Sequence, residues 1–586
     1  MRIGLLTDGG YPYATGESRL WCDRLVRGLA QHEFDLYALS RSAQQEERGW
    51  IQLPGQVQRV RTAPLWAPAD DGRRHGRRDR RRFAEHVRQL ATSLCSDCSD
   101  GTDGARGADG EPGADAFAAG LYGLADLAME RGGLYTALRS ETTVRLLESA
   151  CRAPGARRSV HTATVPDLLA FADQLERALR PLSLDWYGDE ALGAADLCHA
   201  ASGGPAALPG LLAKRFFGAP LLVTEYGVHL RAHYLAAGAP RADGPEGPLT
   251  EPAFRTPVRS LLAAFQRRLA AEVYRQASVI TPGNTHSRRW QERCGADRAK
   301  LRTVYPGMEA ERFAAVGDGD DGGDPGTLVW VGRIEPAKDL ISLLHAFAEI
   351  RKAEPDARLR IVGAPAQGPE PAAYLAHCRS LAAQLFPDEA AGAHAVGDNP
   401  VSFEEIGGPE TPELPDAYAA GGVVVLSSVV EGFPISLVEA MFCGRATVST
   451  DVGAVLEIIG GTGLVVPPRN PRALADACLA LLRDPERRER LGAAARARAQ
   501  ELFTVEQNLA AFHGIYLELI SHAPVRRAAE AVNADGAPLP FADPAEMYAP
   551  GRWTGRRQEE PARPVPSWAR TGERVGAHAA AGESDV

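Results

Sequence analysis

The chain has 586 residues, 45% of them hydrophobic and 24% charged, so it is expected to fold around more than one core. Its formal net charge of −10 excludes a generally basic nucleic-acid-binding protein. The absence of a long apolar run and of a signal segment, together with nine scattered cysteines, favours a cytoplasmic protein with reduced thiols.

The first half of the chain predicts a parallel β/α domain over residues 1–310. A buried strand over 3–7 is followed by a glycine-rich turn, a helix over 18–30 and a strand over 35–40. Further strands are predicted at 197–201, 220–225, 278–281 and 302–305, and helices at 117–150, 166–180 and 254–276.

Residues 68–115 interrupt this pattern. They begin with the basic block RRHGRRDRRR and end in a polar tract of glycine and aspartate, which is typical of a disordered surface insertion. An anion-binding arm is the less favoured interpretation. Cys95 and Cys98 form a C-x-x-C in this stretch, but no second pair accompanies them, so a zinc site is not expected.

An acidic, glycine-rich segment over residues 311–326 predicts a hinge. Asp318 and Asp320 form a D-x-D, a pattern that can mark a metal site for sugar nucleotides. The flexible composition around them favours a linker instead.

The second half predicts another β/α domain over residues 327–503. Its strands are predicted at 328–333, 359–362, 423–427, 447–450 and 464–466, and its helices at 338–353, 372–385, 434–443, 471–483 and 486–502. A helix over 504–521 is expected to return to the first domain, and residues 522–586 are expected to be mostly disordered.

Two β/α domains joined by a hinge place a cleft between the carboxyl ends of two parallel sheets. Because open α/β sheets bind their ligands at that edge, this architecture favours an enzyme that acts on a nucleotide or a sugar nucleotide.

The sharpest motif is EGFPISLVEAMFCG at residues 431–444. Glu431 ends a loop, and Gly432-Phe433-Pro434 opens a helix whose free N–H groups suit an anion or a sugar hydroxyl. Glu439 is predicted about two turns along this helix, so the two carboxylates can hold opposite ends of one extended polar ligand. The alternative is that Glu439 is an incidental helix residue.

A second motif, VGRIEPAKDLISLLHAF at residues 331–347, places two cations at the same sheet edge. Arg333 ends the first strand of the second domain, and Lys338, one of only four lysines in the chain, starts the next helix. Two fixed cations can stabilise the charge of a leaving diphosphate. The alternative is a solvated strand-end arginine and a helix-capping lysine.

Together, these two motifs and the segment STDVGAVLEIIGGTGLVVPPRNPRALADA resemble the retaining glycosyltransferases of family four. These proteins have the GT-B fold, in which two Rossmann-like domains face a central cleft. In the first half, TDGGYPYATGES, ADLCHAASGG and LLVTEYGVHLRAHYL resemble the bacterial group that includes the Pel exopolysaccharide glycosyltransferase. The resemblance covers residues 1–65 and 117–520.

The resemblance implies a role for each motif residue. Arg333 and Lys338 would hold the diphosphate of a nucleotide sugar, and Glu439 would hold its ribose. Glu431 and the backbone after it would contact the donor sugar. The residues assigned to catalysis are Arg333, Lys338 and Glu431, and those assigned to donor binding are Gly16, Tyr226, His229, Gly432, Phe433, Pro434 and Glu439.

The first domain departs from the family pattern at two positions. Its first loop reads ATGES, where relatives tend to have a second glycine after Gly16. Tyr226 stands where the family commonly has a histidine, and His229 follows three residues later. Tyr226 can still form a hydrogen bond with a sugar hydroxyl. His199, after the strand ADLC, is either a site residue or a buried core histidine.

The implied function is a metal-independent, retaining glycosyltransferase that needs no cofactor. Its donor is expected to be a UDP-sugar, UDP-glucose first, and its acceptor a glycan or small molecule in exopolysaccharide or cell-surface glycan synthesis. A cytoplasmic location at the inner face of the membrane, beside a membrane-bound synthesis complex, fits this function, and no nucleic-acid partner is expected. The alternatives are a sugar-nucleotide epimerase and a scaffold that binds nucleotide sugar or an export partner without turnover.

Overall fold

The computed structural model describes residues 1–14, 18–67, 70–96, 112–227, 255–317, 323–365, 368–387 and 399–523. Two six-stranded parallel sheets organise these residues. The first sheet consists of β1 Arg2–Asp8, β2 Glu33–Ser40, β3 Val57–Pro64, β4 Leu197–Ala200, β5 Leu221–Glu225 and β6 Val279–Pro282. The second consists of β7 Asp324–Val331, β8 Arg358–Val362, β9 Val401–Glu404, β10 Gly421–Leu426, β11 Ala446–Thr450 and β12 Leu464–Val466.

Both sheets have the same strand order. The first is β3-β2-β1-β4-β5-β6, and the second, read in the same sense, is β9-β8-β7-β10-β11-β12. This is the order of doubly wound nucleotide-binding domains, in which the direction of sheet growth reverses between the first and fourth strands. The predicted architecture of two Rossmann-like domains is therefore confirmed.

Helices cover both sheets. In the first half they are α1 Arg19–Gly28, α2 Ala43–Glu47, α3 Arg77–Cys95, α4 Pro112–Arg131, α5 Leu134–Leu138, α6 Glu141–Arg152, α7 Arg158–His161, α8 Val165–Leu179, α9 Leu208–Phe217, α10 Thr256–Gln276, α11 Thr285–Arg293 and α12 Ala314–Gly317. In the second half they are α13 Leu340–Ala353, α14 Pro369–Leu385, α15 Leu414–Ala419, α16 Ile435–Phe442, α17 Val455–Ile459, α18 Pro471–Leu482, α19 Pro485–Leu502 and α20 Val505–His522. Among the described helices, none is both long and apolar enough to cross a bilayer.

The prediction of a disordered insertion over residues 68–115 is wrong where the structure describes this stretch. Residues 77–95 form α3, which buries Phe83, Val87, Leu90 and Leu94 at helical spacing against the first core. The arginines that dominate the composition lie mostly on the exposed face, so composition alone concealed an amphipathic helix. Residues 97–111, including Cys98, lie outside the described part of the chain.

Three strands also differ from expectation. Strands β3 and β9 lie at sheet edges and carry partly exposed polar residues, so neither shows the continuous apolar run of a central strand. The strand predicted at 302–305 is not a regular strand. Its start forms an isolated bridge between Ile280 and Leu301, and the N–H groups of Arg302 and Val304 donate to β6 carbonyls at 2.9 and 3.0 Å.

The predicted hinge is shorter than residues 311–326. A 3₁₀ turn at Ala310–Phe313 and the short α12 take up its start, and residues 324–326 already belong to β7. Asp318 and Asp320 lie outside the described residues, as do residues 524–586 of the predicted disordered tail.

The last helix, α20, lies on the first domain. Phe512 and Tyr516 are fully buried in the same core cluster as Ile3 and Leu222. Since the preceding helices belong to the second domain, the chain crosses between the domains twice, once before β7 and once before α20.

Candidate active site

The loops after β7 and β10 lie side by side, because these strands are neighbours where the order of the second sheet reverses. The Val429 N–H donates to the Ala337 carbonyl at 2.9 Å, and the Ser427 hydroxyl donates to the Lys338 carbonyl at 2.7 Å. Crevices at such reversal points are the usual ligand sites of open α/β sheets. The two sequence motifs therefore meet at one edge.

Lys338 and Glu431 form an ion pair across these loops. Lys338 Nζ lies 2.6 Å from Glu431 Oε2, and their side chains are 16% and 13% exposed. The Ser428 hydroxyl donates to the same oxygen at 3.0 Å, and the Thr450 hydroxyl donates to the Ser428 carbonyl at 2.6 Å. Because the pair is largely withdrawn from solvent, its attraction is stronger than that of a surface pair.

Arg333 follows β7 and is exposed. Among the described residues no carboxylate pairs with it, which leaves the guanidinium available to an anion. The predicted helix start at Lys338 is wrong, since Lys338 ends a 3₁₀ turn and α13 begins at Leu340. Asp339, in the left-handed region at φ 48°, caps α13 by accepting from the Ser342 N–H at 3.2 Å.

The segment Gly432–Pro434 lies immediately before α16. Pro434 is the N-cap residue, and the Phe433 ring packs edge-to-face on Phe503 with centroids 6.0 Å apart. Because α16 begins at Ile435, Glu439 lies about one turn into the helix, not two turns as predicted.

Glu439 has its own set of neighbours. The Tyr418 hydroxyl donates to Glu439 Oε2 at 2.6 Å. Burial raises the pKa of the Glu439 carboxyl, while the Tyr418 hydrogen bond and the charges of Arg312 and Arg24 oppose that shift. Arg24 belongs to α1, so the first domain contributes charge to this site. Sequence reasoning missed Tyr418 because no motif marks α15.

Gly453 supports the loop at Glu431. Its φ is +56°, and a Cβ there would lie 2.3 Å from the Glu431 carbonyl oxygen. The neighbouring Ala454 N–H donates to the Gly432 carbonyl at 3.2 Å. Only glycine therefore allows this close approach without moving the loop.

Glu457 bridges the two domains. Its carboxylate, on α17, accepts from the Thr285 N–H at 2.7 Å and from the Tyr305 hydroxyl at 2.8 Å. Thr285 begins α11 of the first domain, where a negative charge is favourable. This contact joins the two sides of the cleft.

On the first-domain side, His199 is a core residue. It is fully buried, and its ring nitrogens contact the Tyr516 hydroxyl at 2.8 Å and the Thr224 hydroxyl at 2.7 Å. Burial lowers the pKa of His199 to about 3, so its imidazole is neutral at physiological pH. Of the two interpretations of His199, the buried core histidine is the one observed.

Tyr226 lies just after β5. Its hydroxyl accepts from Asn508 Nδ2 at 2.9 Å, and its ring packs edge-to-face on Trp21 with centroids 5.4 Å apart. The two other first-domain residues assigned to donor binding, Gly16 and His229, lie outside the described residues. Tyr226 is therefore the one first-domain residue assigned to donor binding that lies among the described residues, and its contact with the donor stays a prediction.

Comparison with known proteins gives two family matches. Residues 1–299 match a family described as a domain of unknown function, DUF3492, and residues 325–484 match the glycosyl transferases group 1. The first match covers half of the chain.

Two curated relatives are D-inositol 3-phosphate glycosyltransferases. That of Rhodococcus erythropolis is 31% identical over 307 residues, which cover 50% of this chain and 61% of the relative. That of Kribbella flavida is 33% identical over 238 residues, which cover 37% and 52%. The chain thus spans between about half and three fifths of the length of these relatives.

Among solved structures, Anabaena HepE in complex with UDP aligns with a TM-score of 0.50 at 14% identity. The alignment covers 88% of this chain and all of that one, and it supports the GT-B arrangement of the two domains. The chain therefore belongs to the DUF3492 family and joins that N-terminal domain to a group 1 glycosyltransferase domain in the GT-B fold.

Proposed function

We propose that this protein transfers a sugar from a UDP-sugar to a hydroxyl acceptor with retention of configuration. The observation that carries the proposal is the contact of Lys338 with Glu431 at 2.6 Å where the second sheet reverses its order, with Arg333 two residues after β7 in the same loop. A cation and a carboxylate at one crevice suit a diphosphate and a sugar hydroxyl, respectively.

The leaving diphosphate would draw its charge stabilisation from Lys338 and Arg333. The acceptor hydroxyl would attack the face from which the diphosphate departs, and a phosphate oxygen would accept the hydroxyl proton. This route needs no side-chain nucleophile. Glu431, already fixed by Lys338 and Ser428, would accept hydrogen bonds from the donor sugar.

The nucleoside of the donor that we propose is uridine, and UDP-glucose is the first donor to test. The solved structure of HepE contains UDP, which supports this choice by fold-level analogy. The acceptor class that we propose is a glycan of exopolysaccharide or cell-surface synthesis, as in the Pel group that the first half of the chain resembles. A peripheral position at the membrane, beside a polysaccharide synthesis complex, belongs to the same proposal.

The test is time-resolved UDP release from UDP-glucose with and without candidate acceptors, combined with analysis of the remaining sugar nucleotide. Acceptor-dependent UDP release with retained anomeric configuration is the expected result. Formation of an epimeric UDP-sugar without UDP release would identify an epimerase. UDP binding without either reaction across donors and acceptors would identify a scaffold.

Removal of divalent cations is expected to leave UDP release unchanged, because Lys338 and Arg333 supply the charge that a metal ion provides elsewhere. Within the described ranges no cluster of three or more His, Cys, Asp or Glu side chains could hold a metal. The measurement is UDP release before and after EDTA treatment. Loss of activity with EDTA and its recovery with Mn²⁺ would contradict the two-cation account. Asp318 and Asp320 would then be the first residues to test as metal ligands.

Gly453→Ala is expected to lower UDP release by on the order of tenfold, because the new methyl group would displace the Glu431 carbonyl. Gly461→Ala is the matched control, since Gly461 is also left-handed at φ +89° but a Cβ there meets nothing within 4 Å. Both variants should lose about 1–2 kcal/mol of stability from the strained backbone. Equal activity in the two variants would show that the loop position does not matter.

A further inference from the structure

The two oxygens of Glu439 have different surroundings. Oε2 accepts the hydrogen bond from Tyr418, whose side chain is fully buried. Oε1 has no hydrogen-bond partner among the described residues. One oxygen is thus held by the protein, and the other is left for a ligand.

Tyr418 is itself fixed from two sides. Arg445, which is buried, donates from Nε to the Tyr418 carbonyl at 2.9 Å and from Nη2 to the Ala419 carbonyl at 3.4 Å. The ring packs edge-to-face on Phe313 with centroids 6.0 Å apart. The hydroxyl therefore occupies a defined position relative to α16.

Other charged and titratable groups also face Glu439. Arg312 and Arg24 favour its ionised form, and Arg24 in turn pairs with Glu309 at 3.0 Å. On α16 itself, burial raises the pKa of the Cys443 thiol to about 12, so that group is neutral. Tyr418 is the only described residue that reaches the carboxylate with a hydrogen bond.

We propose that Tyr418 is a positioning residue that orients the Glu439 carboxylate so that its free oxygen accepts a hydrogen bond from the ribose of a nucleoside diphosphate. This inference rests on the proposed function. Because Tyr418 acts through Glu439, its hydroxyl should affect the affinity for the nucleotide and not the contacts with the donor sugar.

The test is calorimetric titration of the protein with UDP, using Tyr418→Phe, which keeps the ring and removes the hydroxyl. Affinity for UDP is expected to fall about fivefold near neutral pH, the size expected for one lost hydrogen bond. Without the hydroxyl donor the carboxylate pKa lies higher, so the protonated form appears at a higher pH. As the pH is lowered, the UDP affinity of the variant should therefore start to decline at a higher pH than the UDP affinity of the native protein.

Tyr122→Phe is the matched control, because the Tyr122 hydroxyl donates to the Glu272 carboxylate at 2.7 Å in the helical part of the first domain. It should lose comparable stability and keep both UDP affinity and its pH profile. The double variant Tyr418→Phe/Glu439→Gln should bind UDP no more weakly than Glu439→Gln alone, and this comparison remains valid if the single variant folds poorly.

Two results would contradict the role of Tyr418 without contradicting the proposed function. They are an unchanged UDP affinity in Tyr418→Phe, or losses of UDP affinity that add in the double variant. Failure of the native protein to bind UDP would overturn the proposed function together with this inference. The two failures are therefore distinguishable in the first titration.

Discussion

Replacement of Lys338 with alanine is expected to lower kcat/KM for the donor by about 30- to 150-fold. This corresponds to the loss of a charged hydrogen bond worth roughly 2–3 kcal/mol in the transition state. The side chain contacts Glu431 rather than a hydrophobic core, but the pair is largely withdrawn from solvent, so the free energy of unfolding should also fall, by roughly 1–3 kcal/mol. Initial rates of UDP release and the Tm measure the two effects separately.

Lys352→Ala is a matched control for this prediction. Lys352 also forms a 2.6 Å ion pair with a glutamate, Glu349, but the pair lies exposed on α13. Its loss should leave UDP release unchanged. Normal turnover by folded Lys338→Ala would show that Lys338 does not serve the leaving diphosphate.

The fold was predictable where strands are buried on both faces. Strands β1 and β10 contain continuous apolar runs, at 3–6 and 421–426, because helices cover each side of their sheets. Both strands were predicted close to their observed bounds. The edge strands β3 and β9 lack that signal. Helix α3 was concealed because exposed arginines fill its first turns, whereas the apolar residues that it buries at helical spacing begin only at Phe83.

The candidate site was predictable as a set of residues but not as a set of contacts. Motif spacing identified Lys338 and Glu431, yet they are 93 positions apart, and only the adjacency of β7 and β10 shows that they form one ion pair. Tyr418 had no sequence signal, because its role depends on where α15 lies relative to α16. Long-range partners of this kind depend on tertiary packing, which local patterns do not encode.

The ion pair between Lys338 and Glu431 determines the effects expected of substitutions at Glu431 and Glu439. Glu431→Gln keeps the side-chain volume but removes the negative charge beside Lys338. Lys338 then retains its full attraction for the diphosphate, so UDP should still bind. Turnover should fall by on the order of tenfold or more with every donor sugar, because the sugar loses a charged acceptor.

Glu439→Gln should have the opposite signature, because Glu439 contacts Tyr418 and lies near Arg312 rather than Lys338. If Glu439 accepts from the ribose, UDP affinity should fall by roughly 1–2 kcal/mol, which is about five- to thirtyfold. Calorimetry of UDP against both variants, with UDP release measured in parallel, separates the two roles. An equal loss of UDP affinity in the two variants, or a larger loss in Glu431→Gln, would mean that the donor does not place its ribose at Glu439 and its sugar at Glu431. Glu439 lies one turn into α16, after Glu431 in the loop before that helix. A donor bound in the reverse direction would place its sugar at Glu439 and its ribose at Glu431, which would exchange the two effects.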